Sequence, residues 1–217
     1  MVRVLSIDFD YFIDASSKER EMYFPNVNDE MDSNKVQAFW KASYLQHPEL
    51  KKVGVIEDFY YVLNRLRKMD IPVGNMLKAD SHKSIMDLID SIPKSQQLMI
   101  VNIDFHHDYY HYYTGNDKVN CGNWLRRVVE ERPDTKVQWI RREDSQLYSL
   151  DGKFPFEHTE DIKVIHNKNF DYVFICSSPE WSPPHLKDKF HQLSAALSKN
   201  YQYIRLTKWK IGMQTTM

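Results

Sequence analysis

The chain has 217 residues, a formal net charge of −1, 42% hydrophobic and 27% charged residues, enough for one sizeable core and too few for two comfortable domains. That balance excludes a global bias toward nucleic acid or membrane surfaces, and no apolar run approaches the ~18 residues of a membrane span. The opening MVRVLSIDFD turns acidic too early for a secretory signal, and the only cysteines, Cys121 and Cys176, lack metal-pair spacing, so a reduced, cytoplasmic setting is expected.

Apolar, β-rich runs alternate with helical patterns along the chain. Val2–Ile7 (VRVLSI) predicts an opening strand, followed by a charged, aromatic insertion over 15–50. Glu57–Lys68 places Phe59, Val62, Leu63 and Leu66 on one helical face before Pro72. Ile71–Leu77 predicts the second strand, Lys83–Ser91 a short helix closed by Pro93, and Leu98–Ile103 the third strand. A helix over Asn123–Glu131 ends before Pro133, and Lys136–Ile140 is a fourth strand. Asp151-Gly152 suggests a hairpin turn, Tyr172–Cys176 a further buried strand, Leu186–Leu197 a helix, and Tyr201–Leu206 a late strand. This alternation implies a single α/β domain over 1–217, three-layer α/β/α around a mainly parallel sheet, with ligands in the crevice at the C-terminal strand ends.

Those ends carry chemistry. The first strand ends in SIDFDYFID, the second in LKADSH, the third in NIDFHHD and a late one in CSSPEW. Period-two alternation allows Asp8 and Asp10 to share a side, and likewise Asp104, His106 and Asp108, with His107 turned away into the core. His82 follows the second strand. Taken singly, Asp8 and Asp10 suit a helix cap and His82 a loop; together, four carboxylates and two imidazoles converging in one crevice would repel and desolvate one another unless cations neutralised them. A carboxylate-rich set with two imidazoles suits Mn²⁺, with Zn²⁺ or Fe²⁺ as alternatives. Six ligands are more than one ion needs, and a pair of ions about 3.5–4 Å apart activates a water near neutral pH.

Asp104-Phe-His106-His107-Asp108 resembles the DxHxD motif of arginases and related ureohydrolases, and Ser6-Ile7-Asp8-Phe9-Asp10 their SxDxD motif. Asp80-Ser81-His82 is similar to the element that carries their remaining imidazole ligand. The order differs, since SxDxD here leads the chain, and the combination is closest to peptide arginases, which convert arginine residues of precursor peptides to ornithine. The resemblance implies an arginase/deacetylase-like fold with two Mn²⁺ ions, one held by His82, Asp104, Asp108 and Asp8, the other by Asp104, His106, Asp8 and Asp10. It implies Asp108, His111 and Glu180 as catalytic groups. Glu180 would bind the substrate guanidinium, for which a carboxylate gives a bidentate partner, and His111 would replace the proton-shuttle histidine absent from VNCGNW (119–124). The missing grip for a free amino acid points to an arginine-containing peptide as partner, with no nucleic acid and no membrane; a homo-oligomer stays open. The 15–50 insertion and the tyrosines can serve as lid, groove or plain apolar cover.

Three rivals use fewer of these residues. A haloacid-dehalogenase-type Mg²⁺ phosphatase would use Asp8 of IDFDYF as nucleophile, but Tyr11 and Phe12 stand where that motif normally continues with glycine and threonine or valine. An arginase-fold deacetylase needs one Zn²⁺ with two aspartates and a histidine. A binding module would keep the crevice and no metal.

Overall fold

The structure, a computed structural model, describes residues 1–25, 31–72, 74–112, 118–150 and 152–197; the strand expected over Tyr201–Leu206 lies outside them. Its centre is a six-stranded sheet in the order β2-β8-β1-β3-β4-β7, with every pairing parallel. The strands are β1 (Val2–Asp8), β2 (Met76–Ala79), β3 (Leu98–Ile103), β4 (Lys136–Ile140), β7 (Glu157–Thr159) and β8 (Tyr172–Cys176); β5 (Tyr148–Ser149) and β6 (Gly152–Lys153) form the small hairpin expected near Gly152.

A parallel sheet must be covered on both faces, and alternation along β1 divides the work. Leu5 and Ile7 join Val101, Ile103, Val173 and Ile175 on one face. There they meet α3 (Glu57–Leu66) through Phe59, Val62, Leu63 and Leu66, and α6 (Lys187–Ala195) through Phe190 and Leu193. Val4 points the other way, with Ile100, Phe174 and Cys176, against α4 (Ile85–Ser91) and α5 (Trp124–Glu131). This is the expected three-layer α/β/α arrangement.

The chain leaves β1 for β2 over the α3 face and returns from β2 to β3 over the α4 face. The winding therefore reverses around β1, and the crevice such a reversal opens lies at the carboxyl ends of the strands, where Asp8, Asp104 and Ser177–Ser178 emerge.

Two boundaries differ from the sequence pattern. The second strand starts at Met76 rather than Ile71, because the chain is still turning just before it: Gly74 stands at φ +91° and the Asn75 amide donates to the Pro72 carbonyl. β7, a three-residue edge strand beside β4, has no apolar run to announce it. The insertion forms α1 (Ser17–Tyr23) and α2 (Ser33–Gln46). α2 packs Val36 and Trp40 into the α3-side core, and the Trp40 indole N–H donates to the Pro179 carbonyl at 2.7 Å. No helix among the described residues is long and apolar enough to cross a membrane.

Phe59 links this core together: it is fully buried and meets Phe9 and Phe12 edge-on, with centroids 6.3 and 5.7 Å away. Phe59→Ala should cost about 3–5 kcal/mol of unfolding free energy in urea titrations; a loss under about 1 kcal/mol would contradict the packing described.

Candidate metal centre

All six candidate ligands reach the crevice, but local turns rather than strand alternation deliver most of them. β1 ends at Asp8, and Asp10 lies in a 3-10 turn over Phe9–Phe12 that Asp8 caps, its Oδ1 accepting the Asp10 amide at 3.0 Å. Capping and ligand geometry thus coexist in one side chain. β3 ends at Ile103, so Asp104, His106 and Asp108 sit on a bending loop; the correct grouping arises from turns, not from the period-two alternation expected. Asp104 Oδ1 accepts the His106 amide at 2.8 Å, turning the chain back on itself. Asp108 adopts φ +50°, and Ser178, at the end of β8, adopts φ +40°. Left-handed backbone is costly for residues with a side chain, and among the described non-glycine residues it occurs at these two alone. Such strain collects at functional sites.

The inner part of the site surrounds His82, which is 1% exposed in the turn His82–Ser84. Its ring stacks on Phe174 at 5.4 Å and lies 4.8 Å from Trp124. Nε2 meets Ser6 Oγ at 2.7 Å. Nδ1 faces one oxygen each of Asp108, Asp104 and Asp8 at 3.0, 3.1 and 3.3 Å. None of the three is aligned to accept a hydrogen bond from it. Further contacts fix these carboxylates: Ser178 Oγ donates to Asp8 Oδ2 at 2.6 Å, Asn102 Nδ2 to Asp104 Oδ2 at 3.2 Å, and the Trp124 indole N–H to Asp108 Oδ2.

The outer part joins Asp10, Asp104 and His106. His106 Nδ1 stands 3.1 Å from Asp10 Oδ2, again without an aligned hydrogen bond to that oxygen. Two sets of two carboxylates and one imidazole result, His82–Asp104–Asp108 and Asp10–Asp104–His106, and the donor atoms within each lie within 4.8 Å of one another. Asp104 belongs to both. Cys176, fully buried, completes a third set with Asp8 and His82.

This geometry passes a simple test of fit. A cation about 2.1 Å from each donor puts adjacent octahedral ligands about 3.0 Å apart, close to the 3.0–3.3 Å spacings around His82. Buried polar atoms that crowd without bonding are what a ligand set looks like, since buried polar groups otherwise find partners. These buried Asp/His clusters can hold a metal.

The electrostatics agree. Burial, then the neighbouring Asp108 charge, raises the Asp104 carboxyl well above its ordinary range. Burial opposes protonation of His82, yet the surrounding acidic groups, Cys176 and Asp108 foremost, outweigh it and hold the imidazole well above its ordinary 6.5. Burial and the Asp8 charge likewise raise Asp10. A site that prefers protons when metal-free is short of positive charge.

The remaining predicted residues divide. Glu180, which suits a loop between prolines on sequence, is 6% exposed and lines a cavity of about 310 Å³ together with Asp8, His82, His106, Asp108 and Trp181. His107 turns away as expected, 1% exposed, stacked 5.6 Å from Phe154 and accepting the Tyr109 amide at 3.0 Å. His111 is half-buried and outside the described lining of that cavity. The sequence reading missed Ser178, which the strand-end rule could have found in CSSPEW. It also missed Arg20, a buried guanidinium on α1 that lines the cavity; SKEREMY reads as a solvated helix, so no sequence signal marked it.

No protein-family model, curated protein or solved structure matches the chain.

The pH behaviour follows from the raised values. The folded, metal-free protein holds protons on His82 and Asp104 that the unfolded chain has released, so stability is full below the unfolded values and falls as pH climbs. Asp104 acts from 3.8 upward and His82 from 6.5 upward; Asp8, whose value is lowered despite burial, acts oppositely but only below 3.8. Metal-free protein should lose thermal stability as pH climbs upward from about 6.5, and Mn²⁺ should remove the slope by displacing the protons. A melting temperature independent of both pH and Mn²⁺ over that range would contradict the assignment.

Proposed function

We propose that the chain is a dinuclear Mn²⁺ hydrolase of guanidinium groups, converting arginine residues in a peptide to ornithine with release of urea. The observation that carries this reading is the His82 Nδ1 atom ringed by three carboxylate oxygens at 3.0–3.3 Å with no aligned hydrogen bond, in a cavity that Glu180 also lines. His82, Asp104, Asp108 and Asp8 would hold one cation, and Asp104, His106, Asp8 and Asp10 the other, with Asp104 and Asp8 shared. When bound, the pair supplies Lewis acidity and lowers the pKa of a water to near neutrality.

Charge balance favours two cations over one. Asp8, Asp10, Asp104 and Asp108 are all buried, against one buried guanidinium beside them, Arg20, which faces Asp10. Four negative charges less one leave three; two divalent cations exceed that by one, the charge of a single deprotonated water. Glu180 then matches the charge of the substrate guanidinium, whose planar fork a carboxylate accepts in bidentate fashion. Glu180 would orient the guanidinium carbon toward the water; as the water oxygen bonds to that carbon, the C–N bond to the side chain would break, and both protons of the water would pass to the departing nitrogen. The product pair is urea and an alkylammonium.

The phosphatase alternative needs a free nucleophilic carboxylate, whereas Asp8 is 5% exposed with both oxygens accepting hydrogen bonds. Each of the two sets that contain Asp104 has by itself the composition of a single-zinc deacetylase site; the sharing of Asp104 between them supports the dinuclear reading.

After incubation with Mn²⁺ and desalting, the protein should retain two ions per chain, fewer in Asp8→Ala. The loaded protein should release urea from arginine peptides faster than from free arginine. Glu180→Gln should retain both ions while urea release falls about 10²-fold or more. Full activity in Asp104→Ala, or a preference for free arginine, would overturn the metal assignment or the substrate class respectively.

A further inference from the structure

One buried cation plays no part in the reaction just described. Arg20 donates to the carbonyls of Asp10, Ile13 and Ala15 at 2.8, 3.0 and 3.1 Å, and its guanidinium lies 4.0 Å from the centre of the Phe105 ring. The remaining nitrogen, Nη1, is buried without a hydrogen bond and faces Asp10 Oδ2 at 3.9 Å. That same oxygen is the one His106 Nδ1 approaches at 3.1 Å. A guanidinium keeps its charge at neutral pH. Three carbonyls and an aromatic face hold it in place, so it cannot withdraw when a second positive charge arrives. The His82 side instead sets one imidazole against three carboxylates.

Resting on the two-cation reading above, we propose that Arg20 makes the two cation positions unequal: the His82–Asp104–Asp108 side fills first and tightly, and the Asp10–Asp104–His106 side is a weaker, exchangeable position. A fixed charge a few ångströms from an incoming divalent ion repels it strongly in a poorly solvated pocket. In this role Arg20 acts through Asp10, whose Oδ2 it faces. The second ion would then enter and leave with the surrounding Mn²⁺ concentration, which makes the loaded fraction a function of metal supply.

Metal-free, full-length protein is titrated with Mn²⁺ by calorimetry, with free Mn²⁺ followed by electron paramagnetic resonance. Wild type should show two events whose dissociation constants differ by about tenfold or more, and His106→Asn should remove the weaker while keeping the tighter. Arg20→Gln should tighten the weaker event by about tenfold and leave the tighter one nearly unchanged. Arg20→Lys, which keeps the charge while losing the carbonyl fork, should stay near wild type; this separates charge from structural support. Two events of equal affinity, loss of the tighter event in His106→Asn, or equal shifts in the Gln and Lys variants would each overturn the role of Arg20 while leaving two bound cations. If Arg20→Gln does not fold, Arg20→Met, which also removes the charge, takes its place, and an unchanged weaker event there would overturn the role of Arg20. Saturation at one ion or none would overturn the two-cation reading, and this inference with it.

Discussion

Like charges forced together out of water govern this molecule. A parallel sheet that reverses its winding around β1 brings the carboxyl ends of β1, β3 and β8 into one crevice, and the sequence places aspartates there. Ionised carboxylates at such depth are costly unless paired. The neighbouring features answer that cost: His82 is pressed between Phe174 and Trp124 with Nδ1 inward, hydroxyl, amide and indole donors turn the carboxylates toward it, and Arg20 lies against Asp10. These contacts reduce the deficit without closing it, and the raised Asp104 and His82 values are the residue.

Rigidity at the site comes from the sheet and its helices. Asp104 donates its amide to the Ile140 carbonyl at 3.2 Å, and its own carbonyl accepts the Trp139 indole N–H at 2.9 Å, so the shared carboxylate is fixed to β4 as well as to β3. Asp108 is held through its carbonyl by the Leu125 amide at the start of α5. A constellation anchored this way can carry the left-handed backbone of Asp108 and Ser178, because surrounding contacts outweigh a local cost of about 1–3 kcal/mol each.

Much of this was legible in the chain for definite reasons. Leu98–Ile103, Lys136–Ile140 and Tyr172–Cys176 fall where their apolar runs place them, since strands covered on both faces need continuous hydrophobicity. The edges were harder: Glu157–Thr159 is half-exposed and polar, and Ile71 is buried beside a turn rather than within a strand. At the site, Asp8, Asp104 and His82 were readable from the strand-end rule alone. The conformation of the loop after Ile103 was not, because turns stabilised by side-chain-to-backbone hydrogen bonds have no periodicity. Nor could the burial of Glu180 and Arg20 be read, since both depend on segments distant in sequence folding over them.

The bond from Trp40 to the Pro179 carbonyl gives the insertion a different character from a loose appendage. α2 is spliced into the segment that bears Glu180, while α1 lines the same cavity through Arg20 and is tied down by the Ser17 amide, which donates to Asp144 at 2.6 Å. α1 and α2 thus brace the cavity rather than lie over it as a separate cassette. Apart from Arg20, sequence drift along α1 and α2 would reshape the opening from outside while the ligands stay untouched, so recognition can diversify along the brace and the chemistry be inherited unchanged along the sheet.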